Sequence, residues 1–149
     1  MPQDDFRIEA ALAADSDRLA TIRVEAMRPS LEAVGRFDPV RARDRFLDTY
    51  CHADTKIILT RDGVAGFFVA RKHAGHLYLD HLYVSIPFQG RGIGRRVINL
   101  LKTEARSCAL PIRLIALNGS PANEFYQSCG FASISRDALD TLYEWMPER

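Results

Sequence analysis

The chain has 149 residues, of which 47% are hydrophobic and 26% are charged, and its formal net charge is +1. This length and balance predict a single globular domain over residues 1–149, with a sizeable hydrophobic core. The near-neutral charge gives no reason to expect nucleic acid or an acidic membrane surface as a partner, and no apolar run approaches the length of a membrane span.

The cysteines and the first residues bear on the compartment. Cys51, Cys108 and Cys129 are odd in number and scattered along the chain, which is typical of reduced thiols. No cysteine–histidine spacing suggests a metal site. The start of the chain, Met1–Asp5, is acidic and lacks the apolar core of a signal peptide. These features predict a cytoplasmic protein without a metal.

Hydrophobic periodicity and turn residues predict an ordered series of strands and helices. In the first half these are a strand over 6–10, a helix capped within 15–17, a loop or broken helix over 28–37, a helix over about 39–50, and two strands over 56–60 and 64–71. In the second half they are a strand over 76–85, a helix over about 92–106, a strand over 112–117, a helix from a cap at Ser120 to Gly130, and a hairpin over 131–135 and 142–146. Strands and helices do not alternate throughout, which argues against a doubly wound fold.

The most informative segment is Gln89–Gly94, a glycine-rich turn between the third predicted helix and the strand before it. Free amides and the helix dipole at such a turn favour an anion, and glycine lets a phosphate approach the backbone closely. The Lys-Ser or Lys-Thr pair of a P-loop is missing, and so is the third glycine of a dinucleotide fingerprint. The turn therefore predicts a phosphate or pyrophosphate site of another kind.

At this point the chain resembles the GNAT superfamily of N-acetyltransferases. Gln89, Gly92 and Gly94 are similar to its pyrophosphate loop, Leu82–Val84 to its splayed fourth strand, and Ala122–Tyr126, followed by Gly130-Phe131, to its second cofactor motif. These motifs stand in the expected order within about residues 77–131. The chain departs from the family pattern at Pro87, one place later than usual, and at Gly119, where the family has asparagine and this chain has Asn118 one residue earlier.

The resemblance implies an α/β (α+β) fold, with a mixed, mostly antiparallel central sheet flanked by helices and splayed between the fourth and fifth strands. It also implies acetyl-CoA as co-substrate, with no metal, and transfer of the acetyl group to a primary amine of a small molecule, peptide or protein by direct attack on the thioester. A homodimer is possible by the same analogy. The residues that the resemblance assigns to the cofactor are Leu82, Tyr83, Val84, Gln89, Gly90, Arg91, Gly92, Ile93, Gly94, Arg95, Asn118, Asn123 and Tyr126.

Two residues are predicted to be catalytic. The resemblance gives Tyr126 the task of protonating the leaving thiolate, since a phenol is protonated at neutral pH; the alternative is a structural aromatic residue near a helix end. Phe125, about 100° away on the helix, is expected to pack in the core while Tyr126 faces a cleft. Asp80 is the first candidate for the general base, directly or through water, and His81 is the second.

Other interpretations stay open at the level of sequence. A GNAT-like module could bind an acyl-CoA or a partner without catalysis, and a nucleotide-binding enzyme could use the same turn. Arg95 and Arg96 could contact phosphate or only solvent. The acids considered for holding a cationic acceptor are Glu32, Asp38 and Asp140.

Overall fold

The computed structural model describes residues 5–148. The prediction that the start of the chain lacks a signal peptide falls largely on residues 1–4, which lie outside the described residues. The described chain divides into two compact units. The first is the chain up to Val69 together with His81–Ile93, and the second is Ala70–Asp80 together with the chain from Gly94 onward. That residues 1–149 form a single domain stays a prediction.

Within residues 5–148 the chain forms seven strands and four α-helices in the predicted order. They are β1 Phe6–Ala10, α1 Ser16–Ala33, α2 Pro39–Asp48, β2 Thr55–Thr60, β3 Gly63–Lys72, β4 Leu77–Val84, α3 Ile93–Cys108, β5 Ile112–Leu117, α4 Ala122–Ser128, β6 Ala132–Arg136 and β7 Asp140–Trp145. None of the helices in this part of the chain is long and apolar enough to cross a membrane.

The strands form one sheet in the order β1-β2-β3-β4-β5-β7-β6. The pairs β1–β2, β2–β3, β5–β7 and β6–β7 are antiparallel. The pair β4–β5 is parallel, and its register joins Leu77 to Ile112 and Leu79 to Leu114, at the start of both strands. The mixed, mostly antiparallel sheet flanked by helices, with a short parallel fourth–fifth pair, confirms the predicted fold class.

Helix α1 is longer than the sequence predicts. Residues 28–33 were expected in a loop or broken helix, because a helix-interior proline removes one hydrogen bond and clashes with the preceding turn. The helix instead continues through Pro29 to Ala33, so that prediction was wrong. Its earlier turns bury Leu19 and Ala20 completely, and packing of such a face contributes more to a helix than local propensity does.

The core of the first unit lies between helices α1 and α2 and the strands β2 and β3. Phe46 of α2 meets Phe67 of β3 edge to face, with ring centroids 5.3 Å apart. Helix α2 begins where the Asp38 side chain accepts from the Arg41 amide, with Pro39 in the first turn. The buried members of this core are Ala11, Leu19, Ala20, Phe46, Ile57, Phe67 and Val69.

Two details of the second unit concern α4, the short helix that carries Tyr126. The helix begins at Ala122, one residue later than predicted, and the Ser120 hydroxyl donates to the Leu117 carbonyl instead of capping the helix. Gly130 ends it with φ +92°, a left-handed conformation that favours glycine, as predicted. The C-terminal end of α4 therefore follows from a local sequence signal at Gly130, whereas the predicted cap at Ser120 does not form.

Candidate active site

The glycine turn has the backbone of an anion cradle. After a short 3₁₀ turn at Ile86–Phe88, Gly90 and Gly92 both have φ +78°, a left-handed conformation that L side chains rarely adopt. Open space surrounds the position where a Cβ would stand at either glycine. Because φ is positive at Gly90 and Gly92 but not at Arg91 between them, successive amide N–H groups turn toward one concavity. Helix α3 begins immediately afterwards, at Ile93. A backbone of this kind is typical of turns that bind phosphate groups.

Gln89 fastens this turn to the end of strand β4. Its side-chain Nε2 donates to the Val84 carbonyl at 2.9 Å. Its own amide donates to the Ile86 carbonyl at 3.1 Å. The Gln89 amide thus closes the preceding turn, and the assignment of Gln89 to the cofactor stays a prediction. Gln89 therefore positions the cradle relative to β4, within the first unit.

The arginines around the turn have different surroundings. The guanidinium of exposed Arg91 lies over the Phe88 ring, 5.4 Å from its centroid. Arg95 donates to Ser128, from Nη2 to the hydroxyl at 2.8 Å and from Nη1 to the carbonyl at 3.3 Å. Arg95 thereby supplies a hydrogen-bond donor to the carbonyl of the last residue of α4. Its predicted contact with a cofactor stays a prediction, and this packing role was not expected.

Gly94 is a packing position between helices of the second unit. A Cβ at Gly94 would lie 3.1 Å from Cζ of Phe125, which is tighter than an ordinary van der Waals contact. The missing side chain therefore lets the ring of Phe125 lie against α3. Packing against Phe125 therefore explains why residue 94 is glycine, and this explanation does not apply to Gly90 or Gly92.

Burial on α4 is the reverse of the expected arrangement. Tyr126, expected to face a cleft, is only 8% exposed, whereas Phe125, expected in the core, is half-buried. The Tyr126 ring lies 5.2 Å from that of Phe125 and 5.8 Å from that of Phe131, both in T-shaped contacts. The expectation was wrong because Gly94 leaves room for Phe125 on α3. The assignment of Tyr126 as proton donor stays a prediction.

The end of strand β4 is pressed against β3. Leu82, Tyr83 and Val84 are half-buried. A Cβ at Gly66 would lie 2.0 Å from the Tyr83 carbonyl oxygen, so only glycine fits there without a shift of backbone. The pairing of β2 with β3 shifts register at Ile58/Leu59, opposite this same segment. This bulged stretch fixes the part of β4 to which the resemblance assigns the cofactor arm.

Asp80, the first candidate for the base, is in an ion pair. Arg71 Nε donates to Asp80 Oδ2 at 3.1 Å, and both side chains are about a quarter exposed, at 22% and 27%. Tyr78 lies on the same face of β4, and its pKa is raised, first by burial and then by the negative charges of Asp80 and Asp140. The Tyr78 phenol therefore stays protonated to higher pH than a free tyrosine.

His81, the second candidate, belongs to the packed side of the first unit. Its Nδ1 lies 3.1 Å from the Tyr83 hydroxyl, and its ring meets Phe46 edge to face at 5.3 Å between centroids. Alternation along β4 places His81 on the face opposite Asp80. The two candidate bases therefore have different neighbours, and the structure does not bring them together.

The two asparagines assigned to the cofactor form a network within the second unit. Asn118 accepts from the Thr141 hydroxyl at 2.6 Å and donates through Nδ2 to the Asp137 carbonyl at 3.0 Å. Asn123 donates to the Leu117 and Ser120 carbonyls at 2.8 and 2.9 Å and accepts from the Tyr143 hydroxyl at 2.8 Å. Their side chains hold β5, α4 and β7 together, which sequence reasoning missed. Their contact with a cofactor stays a prediction.

This network forms the floor of a polar cleft of about 540 Å³. Glu124 and Gln127 line it from α4, and β6 lines it from the other side, where all five strand residues are exposed. Among residues 5–148 no group of three or more histidine, cysteine, aspartate or glutamate side chains could hold a metal ion.

The comparison with known families gives a direct match. A family model described as "Acetyltransferase (GNAT) domain" matches residues 48–133, which is more than half of the chain. The matched residues include β4, the glycine turn, α3, β5 and α4. The chain therefore belongs to the GNAT acetyltransferase family. No curated protein matches the chain.

Solved structures of low sequence identity share the fold. The PaiA N-acetyltransferase of Thermoplasma acidophilum, in complex with coenzyme A, is 15% identical with a TM-score of 0.73, over 95% of this chain and 99% of that chain. An acetyltransferase of Thermus thermophilus is 15% identical with a TM-score of 0.74, over 98% and 99% of the two chains. N-acetylglutamate synthase of Neisseria gonorrhoeae, complexed with coenzyme A and N-acetyl-glutamate, is 17% identical with a TM-score of 0.71, over 99% of this chain and 36% of that one. At these identities the likeness shows the fold alone.

Proposed function

We propose that this protein is an acetyl-CoA-dependent N-acetyltransferase that acts on a primary amine of a small molecule, peptide or protein. The amine nitrogen, once deprotonated, forms a bond to the thioester carbonyl carbon, and the carbon–sulfur bond breaks. The products are the N-acetylated amine and the free thiol of coenzyme A. The family membership and the coenzyme A bound to PaiA and to N-acetylglutamate synthase support this proposal.

The observation that carries the proposal is the backbone of the glycine turn. Gly90 and Gly92 have left-handed φ of +78° with open space at both Cβ positions, and the turn leads into α3. The amides that follow Gln89, through Gly94, are proposed to bind the pyrophosphate of the cofactor. Arg91, exposed beside the turn, adds positive charge for the same group.

Strand β4 and Tyr126 have the remaining proposed roles. The amide-bearing pantetheine arm would pair with Leu82–Val84 as an added strand, and a strand amide near Leu82 or Tyr83 would stabilise the oxyanion. Tyr126 would donate its hydroxyl proton to the leaving thiolate. The rigid setting of β4, with Gln89 on the Val84 carbonyl and Gly66 against the Tyr83 carbonyl, supports the use of this strand as a fixed edge.

The proton of the ammonium group needs an acceptor. Asp80 remains the first proposed base, directly or through water, and its Oδ2 accepts from Arg71 Nε. His81 is the second. Deprotonation by water alone is the third route, and it needs neither side chain.

Thermal unfolding with acetyl-CoA, CoA, ATP and NAD tests the proposal. A ligand that binds only the folded state at 100 times its Kd stabilises by about 2.7 kcal/mol, which raises Tm measurably. We expect a shift with the two CoA compounds and none with ATP or NAD. Thiol release from acetyl-CoA in the presence of an amine panel then separates an enzyme from a module that binds CoA without catalysis. A shift with ATP or NAD alone would overturn the proposal.

A further inference from the structure

A small pocket opens in the first unit, between α1 and the segment that directly follows β4. Its volume is about 230 Å³. Three residues come from α1 and three from the segment that directly follows β4. They are Ile22, Glu25, Ala26, Ser85, Ile86 and Pro87. Four of the six are apolar, so the pocket favours an apolar body of limited size.

One wall carries a negative charge. Among residues 5–148 the Glu25 side chain makes no ion pair or hydrogen bond, although it is exposed and lines the pocket. Two of the three acids that the sequence offers for a cation are already engaged: Glu32 pairs with Arg28 at 2.7 Å, and Asp38 caps α2. A carboxylate without a partner beside an apolar pocket favours a ligand with a cationic end.

Pro29 leaves the Glu25 carbonyl without its usual helical donor. In a regular helix the carbonyl of residue 25 accepts from the amide of residue 29, but proline has no N–H. Helix α1 continues through Pro29, so the Glu25 carbonyl lacks this donor. An ammonium group has three N–H donors and can use a carboxylate and a carbonyl together.

The other wall lies between β4 and the proposed phosphate cradle. The Ser85 amide donates to the Ala65 carbonyl at 2.8 Å, and the Ser85 carbonyl accepts from the Phe88 amide at 2.9 Å. These bonds hold the wall rigid. Ile86 is 66% exposed, a high value for a large apolar side chain, and a ligand seated in the pocket would cover part of it.

We propose that this pocket binds the amine acceptor, and that the acceptor is a primary ammonium group on a small apolar body. The inference rests on the proposed function, because it names the substrate class of the same reaction. A volume of about 230 Å³ has room for roughly eight non-hydrogen atoms, at about 30 Å³ for each water-sized group. Benzylamine has this size and charge. A polyamine has a second cation, for which the apolar wall offers no acceptor.

Direct binding tests the pocket without any need for turnover. Benzylamine is titrated into the ¹⁵N-labelled full-length protein, with benzyl alcohol as the neutral probe of the same shape. We expect benzylamine to shift the amide signals of Ile22, Glu25, Ala26, Ser85 and Ile86, and to bind about fivefold more tightly than benzyl alcohol, the effect of one partly exposed ion pair. Shifts confined to other residues, or equal affinity of the two probes, would overturn the proposal.

Variants separate the charge from the shape. Glu25→Gln removes the charge with little change of volume, and we expect it to raise Kd and KM for benzylamine about fivefold without changing the affinity for CoA. Ala26→Leu fills the pocket and should abolish benzylamine binding. Glu104→Gln, at an exposed glutamate of α3, is the matched control and should change neither value. A folded Glu25→Gln protein with unchanged benzylamine affinity would contradict the assignment.

The outcomes distinguish this inference from the proposed function. Benzylamine binding in the pocket with no thiol release from acetyl-CoA for any amine of the panel would reject the transferase and, with it, the acceptor role of the pocket. Thiol release with putrescine but not with benzylamine, and no benzylamine shifts at the pocket, would retain the transferase and reject this acceptor class.

Discussion

Arg71 and Asp80, on neighbouring strands β3 and β4, form an ion pair with 3.1 Å between Nε and Oδ2, and each side chain is about a quarter exposed. The first candidate for the general base is therefore a carboxylate with a fixed cationic partner. Such a carboxylate is well oriented, because the guanidinium group holds one of its oxygens. A loss of activity on mutating Asp80 therefore has two explanations, the loss of a general base and the loss of the ion pair with Arg71. The pH dependence of the activity distinguishes them.

Asp80→Asn is expected to lower turnover more at low pH than at high pH. At low pH most of the amine is protonated and needs a base, whose contribution can reach about 10²-fold, whereas at high pH free amine is already present. The measurement is the pH profile of kcat/KM for acetyl transfer. Arg71→Gln removes the same ion pair but keeps the carboxylate, so it is the control. Equal losses in both variants at every pH, with no further loss in the double mutant, would assign the pair a purely structural role.

Gly92→Asp is expected to abolish CoA binding and to leave the fold largely intact. The carboxylate would stand where the pyrophosphate is proposed to lie, and like charges repel strongly at short range. Gly35→Asp is the matched control, since Gly35 has φ +70° with open space at its Cβ position and carries the same backbone strain. Calorimetric titration with CoA measures both. Unchanged CoA affinity in folded Gly92→Asp protein would show that the phosphate site lies elsewhere.

Tyr126→Phe is expected to retain CoA affinity and to lose about 10²-fold or more in kcat, since the ring stays and the proton donor is removed. Tyr50→Phe is the control. It removes another tyrosine hydroxyl, which donates to the Leu12 carbonyl at 2.7 Å, and should change stability rather than kcat. Steady-state kinetics by thiol release measure the effect. Full activity of Tyr126→Phe would remove Tyr126 from the mechanism and leave it as a packed aromatic residue.

Gly66→Ala is expected to destabilise the protein by about 1–3 kcal/mol, because the new methyl group would overlap the Tyr83 carbonyl and force β3 and β4 apart. Gly75→Ala is the control: a Cβ there meets nothing within 4 Å, and the change should stay within about 0.5 kcal/mol. Denaturant unfolding compares the two. An equal, small effect of both variants would mean that β3 and β4 adjust without cost.

Asp137 is expected to make the β6–β7 turn sensitive to acid. The amides of Asp140 and Leu139 donate to its carboxylate at 2.7 and 2.8 Å and lower its pKa, with the Asp140 bond contributing most. Because the pKa is lowered by folding, the stabilisation is present above the ordinary value of 3.8 and is lost as pH falls through the folded value. The Tm difference between wild type and Asp137→Asn should therefore shrink on acidification.

The fold was predictable because the signals were local and repeated. The strands predicted over 6–10, 56–60 and 64–71 correspond to β1, β2 and β3, and Gly130 ends α4 where expected. The helix through Pro29 was not predictable, because packing of Leu19 and Ala20 decided it and packing is not local.

The site was predictable as a set of motifs but not as a set of contacts. Sequence spacing located the glycine turn, yet it could not show that the Gln89 amide bonds to Ile86 or that Arg95 bonds to Ser128. Glu25 was missed altogether. A signal for it existed in Pro29, four residues later, since a proline inside a helix leaves the carbonyl one turn earlier without its donor.

The contact between Gly94 and Phe125 means that selection for packing acts on Gly94, whereas selection for ligand binding acts on the other glycines of the same short motif. A change at Gly94 would push a helix off its neighbour, so a descendant of this protein that no longer used a cofactor would still be held to glycine there. Gly90 and Gly92 face open space, and only a ligand close to the backbone and the left-handed turn itself restrict them. Sequence change at Gly90 and Gly92, with Gly94 retained, would therefore identify a relative that keeps the GNAT fold but no longer binds the cofactor.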